Sequence, residues 1–316
     1  MNCLGKPRRG NADGRLLCSG IAVTVFTLLG LCAPAPASAA DASSVVAPGA
    51  RLELLAEIFA FTEGPAADAQ GNVYFTDQPN NRIFKWSVDG QLTVFHDNAG
   101  RANGLYFDKA GNLYACADLR NELWMIDPSG KVTVLVKDYE GKRLNGPNDV
   151  WVHPNGGLYF TDPFYRRDYW DHSAMEQDGQ HVYYLSPDRK RLIRVAADLE
   201  QPNGIIGAPD GKRLYIADIR ARKTYVYSIN PDGTLSGKKL FAETGSDGMT
   251  MDEEENIYVT GDGVTVFDVR GRQIGRIEVP ERWTANVTFG GKDRRTLFIT
   301  ASDSLYSIRT RVRGAY

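Results

Sequence analysis

The chain has 316 residues, 42% hydrophobic and 24% charged, with a formal net charge of −2. This is ordinary globular composition, and the length accommodates one large domain or two smaller ones. There is no basic excess of the kind that binds nucleic acid, so a small-molecule partner is the expectation.

Read in chain order, the first forty residues stand apart. Lys6, Arg8, Arg9 and Arg15 give a positive start, Leu16 to Leu31 is apolar, and Ala37-Ser38-Ala39-Ala40 supplies small residues for cleavage. The apolar run is shorter than the roughly 20 residues of a spanning helix. Residues 1–40 are therefore expected to be a cleaved export signal, leaving residues 41–316 as the mature catalytic domain. The expected location is periplasmic or secreted, with no membrane contact after cleavage. Nothing in the sequence sets the oligomeric state. Cys3, Cys18 and Cys32 leave with the signal, so Cys116 stands alone and forms no intramolecular disulfide. Its apolar neighbours in Leu113-Tyr114-Ala115-Cys116-Ala117 mark it as a small buried hydrophobe.

Beyond the signal, short apolar β-rich runs are cut by Gly, Asp, Asn and Pro. The first is Leu52 to Ile58. Six similar segments follow, beginning at Glu63, Asn103, Asn148, Asn203, Asp247 and Asn286, spaced 40, 45, 55, 44 and 39 residues apart. A repeat near this length, with several strands per repeat, predicts an all-β, six-bladed β-propeller. In the first repeat the strands read Asn72 to Thr76, Arg82 to Trp86 and Leu92 to Phe95, with Asp89-Gly90 as the hairpin turn. Ser129-Gly130, Asp232-Gly233 and Arg270-Gly271 mark the same turn later. The last repeat holds only three strand signals, so the run Leu52 to Ile58 is expected to complete its sheet. That closes the ring and removes a free edge.

The six leading residues occupy equivalent places, and radial repetition puts them around one axis. All six carry a side-chain oxygen, and two are acids. Turn propensity accounts for one or two such positions, but not for six out of six. Six oxygen donors with few acids form a cage suited to a hard cation. The widest gap, between Asn148 and Asn203, contains an aromatic and charged insertion from Phe164 to Gln180. A connection that outgrows its neighbours is a candidate lid or binding rim, with Phe164, Tyr165 and Trp170 as candidates to wall a pocket and Arg166 or Arg167 to meet a substrate hydroxyl or carboxylate. Other catalytic apparatus is missing. No nucleophile elbow, phosphate-cradling loop or dinucleotide fingerprint occurs, and His96, His153, His172 and His181 lack zinc-ligand spacing and are expected mostly at the surface.

Four motifs in order carry a resemblance: Glu63-Gly64-Pro65, Arg143 to Asp149, Pro202-Asn203-Gly204 and Ser246-Asp247-Gly248-Met249. Phe160-Thr161-Asp162-Pro163 and Leu297-Phe298-Ile299-Thr300 add to it. The mature chain resembles the gluconolactonase, senescence-marker-protein (regucalcin) and lactonase-related family. The resemblance implies one divalent cation in the channel, usually Ca²⁺, with Zn²⁺, Mn²⁺ or Mg²⁺ as alternatives. It assigns the ligand positions to Glu63, Asn148, Asn203 and Asp247. A substrate-binding Arg of animal members falls here on Gly146, so Arg143 is the candidate replacement, and Asn103 joins it as a candidate substrate contact. The implied reaction is hydrolysis of a sugar (aldono-)lactone, in which a metal-polarised carbonyl is attacked by water. Asp247 or Asp149 is the candidate base; a carboxylate on a dication is weakened as a base, whereas Asp149 can equally serve to orient Asn148. Two alternatives remain at this point: hydrolysis of phosphotriesters or phosphorofluoridates, and a calcium-stabilised binding propeller without catalysis.

Overall fold

The computed structural model describes residues 45–316, and the expected export signal lies outside the described residues. Six four-stranded antiparallel sheets follow one another in chain order. The one helical element among the described residues is a single 3₁₀ turn, Asp118–Arg120. None of their helices is long and apolar enough to cross a membrane.

From the first strand outward, blade 1 comprises Thr62–Ala67, Val73–Asp77, Arg82–Trp86 and Leu92–Asp97. Blade 2 comprises Ala102–Phe107, Leu113–Ala117, Glu122–Ile126 and Val132–Val136. Blade 3 comprises Val150–Val152, Leu158–Asp162, His181–Leu185 and Leu192–Ala196. Blade 4 comprises Pro202–Gly207, Arg213–Asp218, Lys223–Ile229 and Leu235–Ala242. Blade 5 comprises Met249–Met251, Ile257–Gly261, Gly263–Phe267 and Gln273–Ile277. Blade 6 takes Thr284–Gly290, Thr296–Ala301 and Ser304–Arg309 from the C-terminal end of the chain and Glu53–Ala56 from before blade 1. In that blade Glu53 lies opposite Ser307 and Leu54 opposite Tyr306. The expected shared blade is thus present, and the circle closes through backbone hydrogen bonds rather than a disulfide.

The second strand of each blade explains why the sequence shows continuous apolar runs instead of alternation. Val73–Asp77, Leu113–Ala117 and Leu158–Asp162 are buried at every residue. A strand covered on both faces has no solvent side, so no period of two appears. Trp151 and Tyr159 of blade 3 are fully buried in a cluster with Ile205, Ile206 and Tyr215 of blade 4. Cys116 is likewise buried and unpaired, as expected for a small hydrophobe. The anticipated hairpin turns form, with Gly90 and Gly271 at φ of 78° and 77°, where a side chain would be strained.

Candidate active site

The six leading residues of the repeats meet around the axis. Glu63, Asn103, Asn203 and Asn286 lie within the first strands of their blades, and Asn148 and Asp247 lie just before theirs. In blades 1, 2, 4 and 6 the pairing register of the first strand shifts at this point, between Glu63 and Ala66, Ala102 and Leu105, Pro202 and Ile205, and Thr284 and Asn286. Such bulges re-aim a side chain, and here they recur at the ring position.

Contacts run from each blade to the next and return to the start. A Cβ on Gly64 would lie 2.1 Å from the Asn103 carbonyl oxygen, so only glycine lets these two strands touch. The Gly104 N–H donates to the Asn148 carbonyl at 2.7 Å. The Ile205 N–H reaches Asp149 Oδ2 at 3.4 Å. Asn203 Nδ2 donates to Asp247 Oδ1 at 2.8 Å. A Cβ on Gly248 would lie 1.8 Å from Asn286 Cγ. Asn286 Nδ2 closes the circle on Glu63 Oε2 at 3.5 Å. Threonines at the ends of second strands hold the ring backbone: Thr76 Oγ1 donates to the Asn103 carbonyl at 3.1 Å and Thr300 Oγ1 to the Asn286 carbonyl at 3.1 Å.

Burial sets the electrostatics. Glu63 is held well above the usual carboxylate range by desolvation first, then by the negative charges of Asp247 and Asp149. Asp149 is pushed up to about 8 by burial, against the opposing hydrogen bonds from Val150 and Ile205. Asp247 is pushed up to about 6 by burial, with hydrogen bonds from Trp283 and Asn203 pulling the other way. Three neighbouring acids thus lack enough positive charge. The Asn203 carboxamide is oriented by its nitrogen, which donates to Asp247 and, at 2.9 Å, to Tyr165 Oη. Its oxygen is buried and has no partner. A free buried amide oxygen on a carboxamide bonded to the charge-poor Asp247 suits a hard divalent cation, which favours oxygen ligands of mixed charge. A separate acidic group, Glu57, Glu281 and Asp303, contains no ring residue, and its Glu281 already accepts from Tyr306 Oη at 2.8 Å.

The insertion covers this end of the channel. Tyr165 reaches Asn203 directly, and the Phe164 ring lies 5.7 Å from that of Trp170. Asp118 anchors the loop by accepting from Arg167 Nε at 2.9 Å and Tyr169 Oη at 2.5 Å. Gly146 has φ of 144°, and a Cβ there would meet Asp118 Oδ1 at 2.8 Å, so the position that held an Arg in the resemblance must be bare here. Beyond the ring the first strands enclose a cavity of about 620 Å³ lined by Leu105, Tyr106, Ile205, Ile206, Met251 and Phe289.

The candidates divide by place. Glu63, Asn103, Asn148, Asn203 and Asp247 come together in the ring, and Tyr165 touches it. Phe164 sits one step back, its amide donating to Gln180 Oε1 at 2.7 Å. Asp149 faces the cavity beyond the ring. Arg143 lies away from the ring, with its guanidinium on Asp171 at 2.5 Å and its amide donating to Glu176 Oε2 at 2.8 Å. The histidine expectation needs correction at His181, which is 4% exposed because it opens the buried third strand of blade 3. Sequence reasoning passed over Trp283, whose Nε1 donates to Asp247 Oδ2 at 2.6 Å. It also passed over Asp118, although the recurrence of Asp at the end of the second strand or just past it, at Asp77, Asp118, Asp162 and Asp218, was a usable signal.

A closed six-bladed propeller carrying a ring of carboxylates and carboxamides at one end of its channel defines a class of channel-site proteins. Within it, the chain belongs to the SMP-30/gluconolactonase/LRE-like family, whose profile matches residues 61–303. It is 30% identical to a gluconolactonase of Zymomonas mobilis over 83% of this chain and 82% of that protein. A solved gluconolactonase of Xanthomonas campestris superposes with a TM-score of 0.79 at 31% identity, covering 85% of this chain and 91% of that one. A diisopropyl-fluorophosphatase of Loligo vulgaris is 27% identical over 77% of this chain and 86% of its own.

Proposed function

We propose that this protein is a lactonase that opens a sugar lactone by addition of water, with a divalent cation, Ca²⁺ by preference, held by Glu63, Asn148, Asn203 and Asp247. The observation that carries the reading is the oriented Asn203 carboxamide, bonded to the charge-poor Asp247 with its own oxygen buried and free, in a chain similar to gluconolactonases. When bound, the cation would polarise the lactone carbonyl and favour negative charge on its oxygen. The residues of the chain do the rest. Tyr165 and the insertion roof the pocket and exclude bulk water from the reacting face. Asp247 is only partly buried and lies beside Trp283 at the lidded end. Its carboxylate accepts the proton of the attacking water. Asp149, turned to the cavity beyond the ring, holds the Ile205 amide and keeps blades 3 and 4 in register.

The test is hydrolysis of aldonolactones by the purified protein with Ca²⁺, Zn²⁺ or Mn²⁺ and after chelation. Cation-dependent ring opening is expected. Activity unaffected by thorough chelation overturns the metal assignment, and no lactone hydrolysis under any condition overturns the function. Diisopropyl fluorophosphate belongs in the same panel because of the similarity to the squid enzyme; turnover of it alone favours phosphorofluoridate hydrolysis.

A further inference from the structure

In blades 1, 3 and 4 the aspartate that ends the second strand shares one duty: it accepts from two successive backbone amides of the segment leading into its own blade, with Asp77 also taking Asn80 Nδ2 and Asp218 the Ala221 amide. Asp77 takes Ala60 and Phe61 at 3.1 and 3.2 Å. Asp162 takes Asn145 and Gly146 at 2.9 and 2.8 Å. Asp218 takes Glu200 and Gln201 at 2.8 and 3.0 Å. Asp118 of blade 2 departs from this pattern. Among the described residues its carboxylate accepts no backbone amide. Its Oδ2 instead takes Arg167 Nε, Tyr169 Oη and, at 3.3 Å, Gln78 Nε2, while its carbonyl takes Trp170 Nε1 at 2.7 Å.

The consequence falls on Arg167. Its guanidinium is anchored by one edge and lies 5.6 Å over the ring of Tyr165, the residue bonded to Asn203. The two terminal nitrogens make no hydrogen bond among the described residues, and the side chain is only 26% exposed. Burial opposes its charge, but Asp118, Tyr169 and Glu63 hold it above the ordinary value. Neither terminal nitrogen is among the buried polar atoms left without a partner, so both stay accessible and free to donate to a bound molecule while the anchored edge fixes their direction. A planar two-pronged donor fits a pair of adjacent oxygens.

We propose that Arg167 is a specificity-determining residue that donates to the hydroxyl oxygens of the lactone at the ring, and that Asp118 is its positioning residue. The inference rests on the lactonase reading. It supplies the cationic contact that Gly146 cannot and that Arg143 does not reach.

The experiment compares glucono-1,5-lactone with δ-valerolactone, the ring without hydroxyls, in the cation-supplemented parent and in Arg167→Met, Arg167→Lys and Asp118→Asn. Affinity is read as KM where a lactone is turned over and as KI where it only competes. For Arg167→Met we expect glucono-1,5-lactone to lose about tenfold or more, mostly in KM, and δ-valerolactone to change less than about twofold, because a site built to bond hydroxyls loses only their contribution. Arg167→Lys should fall between, retaining charge without the fork. Asp118→Asn should raise the KM of the hydroxylated lactone by roughly threefold with kcat held. Equal losses on both lactones, or none on either, overturn the inference and leave the lactonase reading intact. A parent inactive on every lactone overturns both. If Arg167→Met fails to fold, Arg167→Lys decides by the same comparison.

Discussion

The two ends of the channel are built by the same first strands, yet one is mainly polar and the other mainly apolar. At the ring, each blade contributes a carboxylate or carboxamide at or just before its first strand, a bulge aims it in blades 1, 2, 4 and 6, and the insertion of blade 3 covers it. Two to four residues further along, the same strands present Leu105, Tyr106, Ile205, Ile206, Met251 and Phe289 to a largely apolar cavity that Asp149 and Asn286 also line. That end is rimmed by Gly314, Ala315 and Tyr316, with Gly314 donating to Arg294 at 2.8 Å and Ala315 to Met251 at 3.1 Å. The comparison separates roles that a propeller combines in one strand: the position at which the strand begins carries polarity and charge, and its continuation carries stability. Substitutions at the two ends should therefore fail in different ways.

The largest effect belongs to Asp247→Asn. It removes the acid that is both a candidate ligand and the proposed base, so kcat/KM should fall by about 100-fold or more. Calorimetry should show weaker Ca²⁺ binding in the same variant. Unchanged affinity with lost turnover would split the two roles and leave Asp247 as a base alone.

Proton competition comes next. Asp247 titrates about 6, and Glu63 is raised above the usual range. Cation affinity should climb as pH rises through this region, by up to about tenfold per pH unit for each proton displaced. Stability without cation should run the opposite way. The folded-state values are raised, so the unfolded chain ionises first, at about 4. Above that point the folded state holds more protons than the unfolded one, and stability falls as pH rises through about 6 for Asp247 and about 8 for Asp149. Melting scans in chelator at several pH values check the sign, and saturating cation should reduce the slope.

A smaller effect is expected for Trp283→Phe. It removes the hydrogen bond to Asp247 Oδ2 while preserving the ring plane, so kcat/KM should fall by about ten- to thirtyfold, the lower part of the worth of one hydrogen bond to a charged group. The acid limb of the pH profile should shift upward, because that bond favours the ionised carboxylate. The smallest change in activity belongs to the far end. Ile206→Ala should cost about 2–4 kcal/mol of stability, from lost burial and the cavity left behind. Turnover by the folded protein should stay within about twofold of the parent. A large loss of kcat/KM in Ile206→Ala at temperatures well below melting would show that the two ends are coupled.

Much of this was legible in the sequence because propeller geometry is periodic. Spacing alone identified Glu63, Asn103, Asn148, Asn203, Asp247 and Asn286 as equivalents, and equivalence about an axis means proximity. The three-strand last repeat called for the strand at Glu53–Ala56, and the turn glycines announced the hairpins. These features are local or repeated, so they survive in a one-dimensional reading. The partners did not. Trp283 meets Asp247 across 36 positions, Arg167 meets Asp118 across 49, and Asn286 meets Glu63 across 223. Arg143, close in sequence to Asn148, turned outward to Asp171 and Glu176, and Asp149 faced the cavity beyond the ring. The direction of a side chain at a bulge, and the end of the channel toward which an insertion folds, depend on packing between neighbouring blades. The sequence by itself determined the number of blades, how they close and which residues ring the axis. The tertiary structure alone decided which of those residues orient one another, because that is set by hydrogen bonds between segments that meet only when the circle is complete.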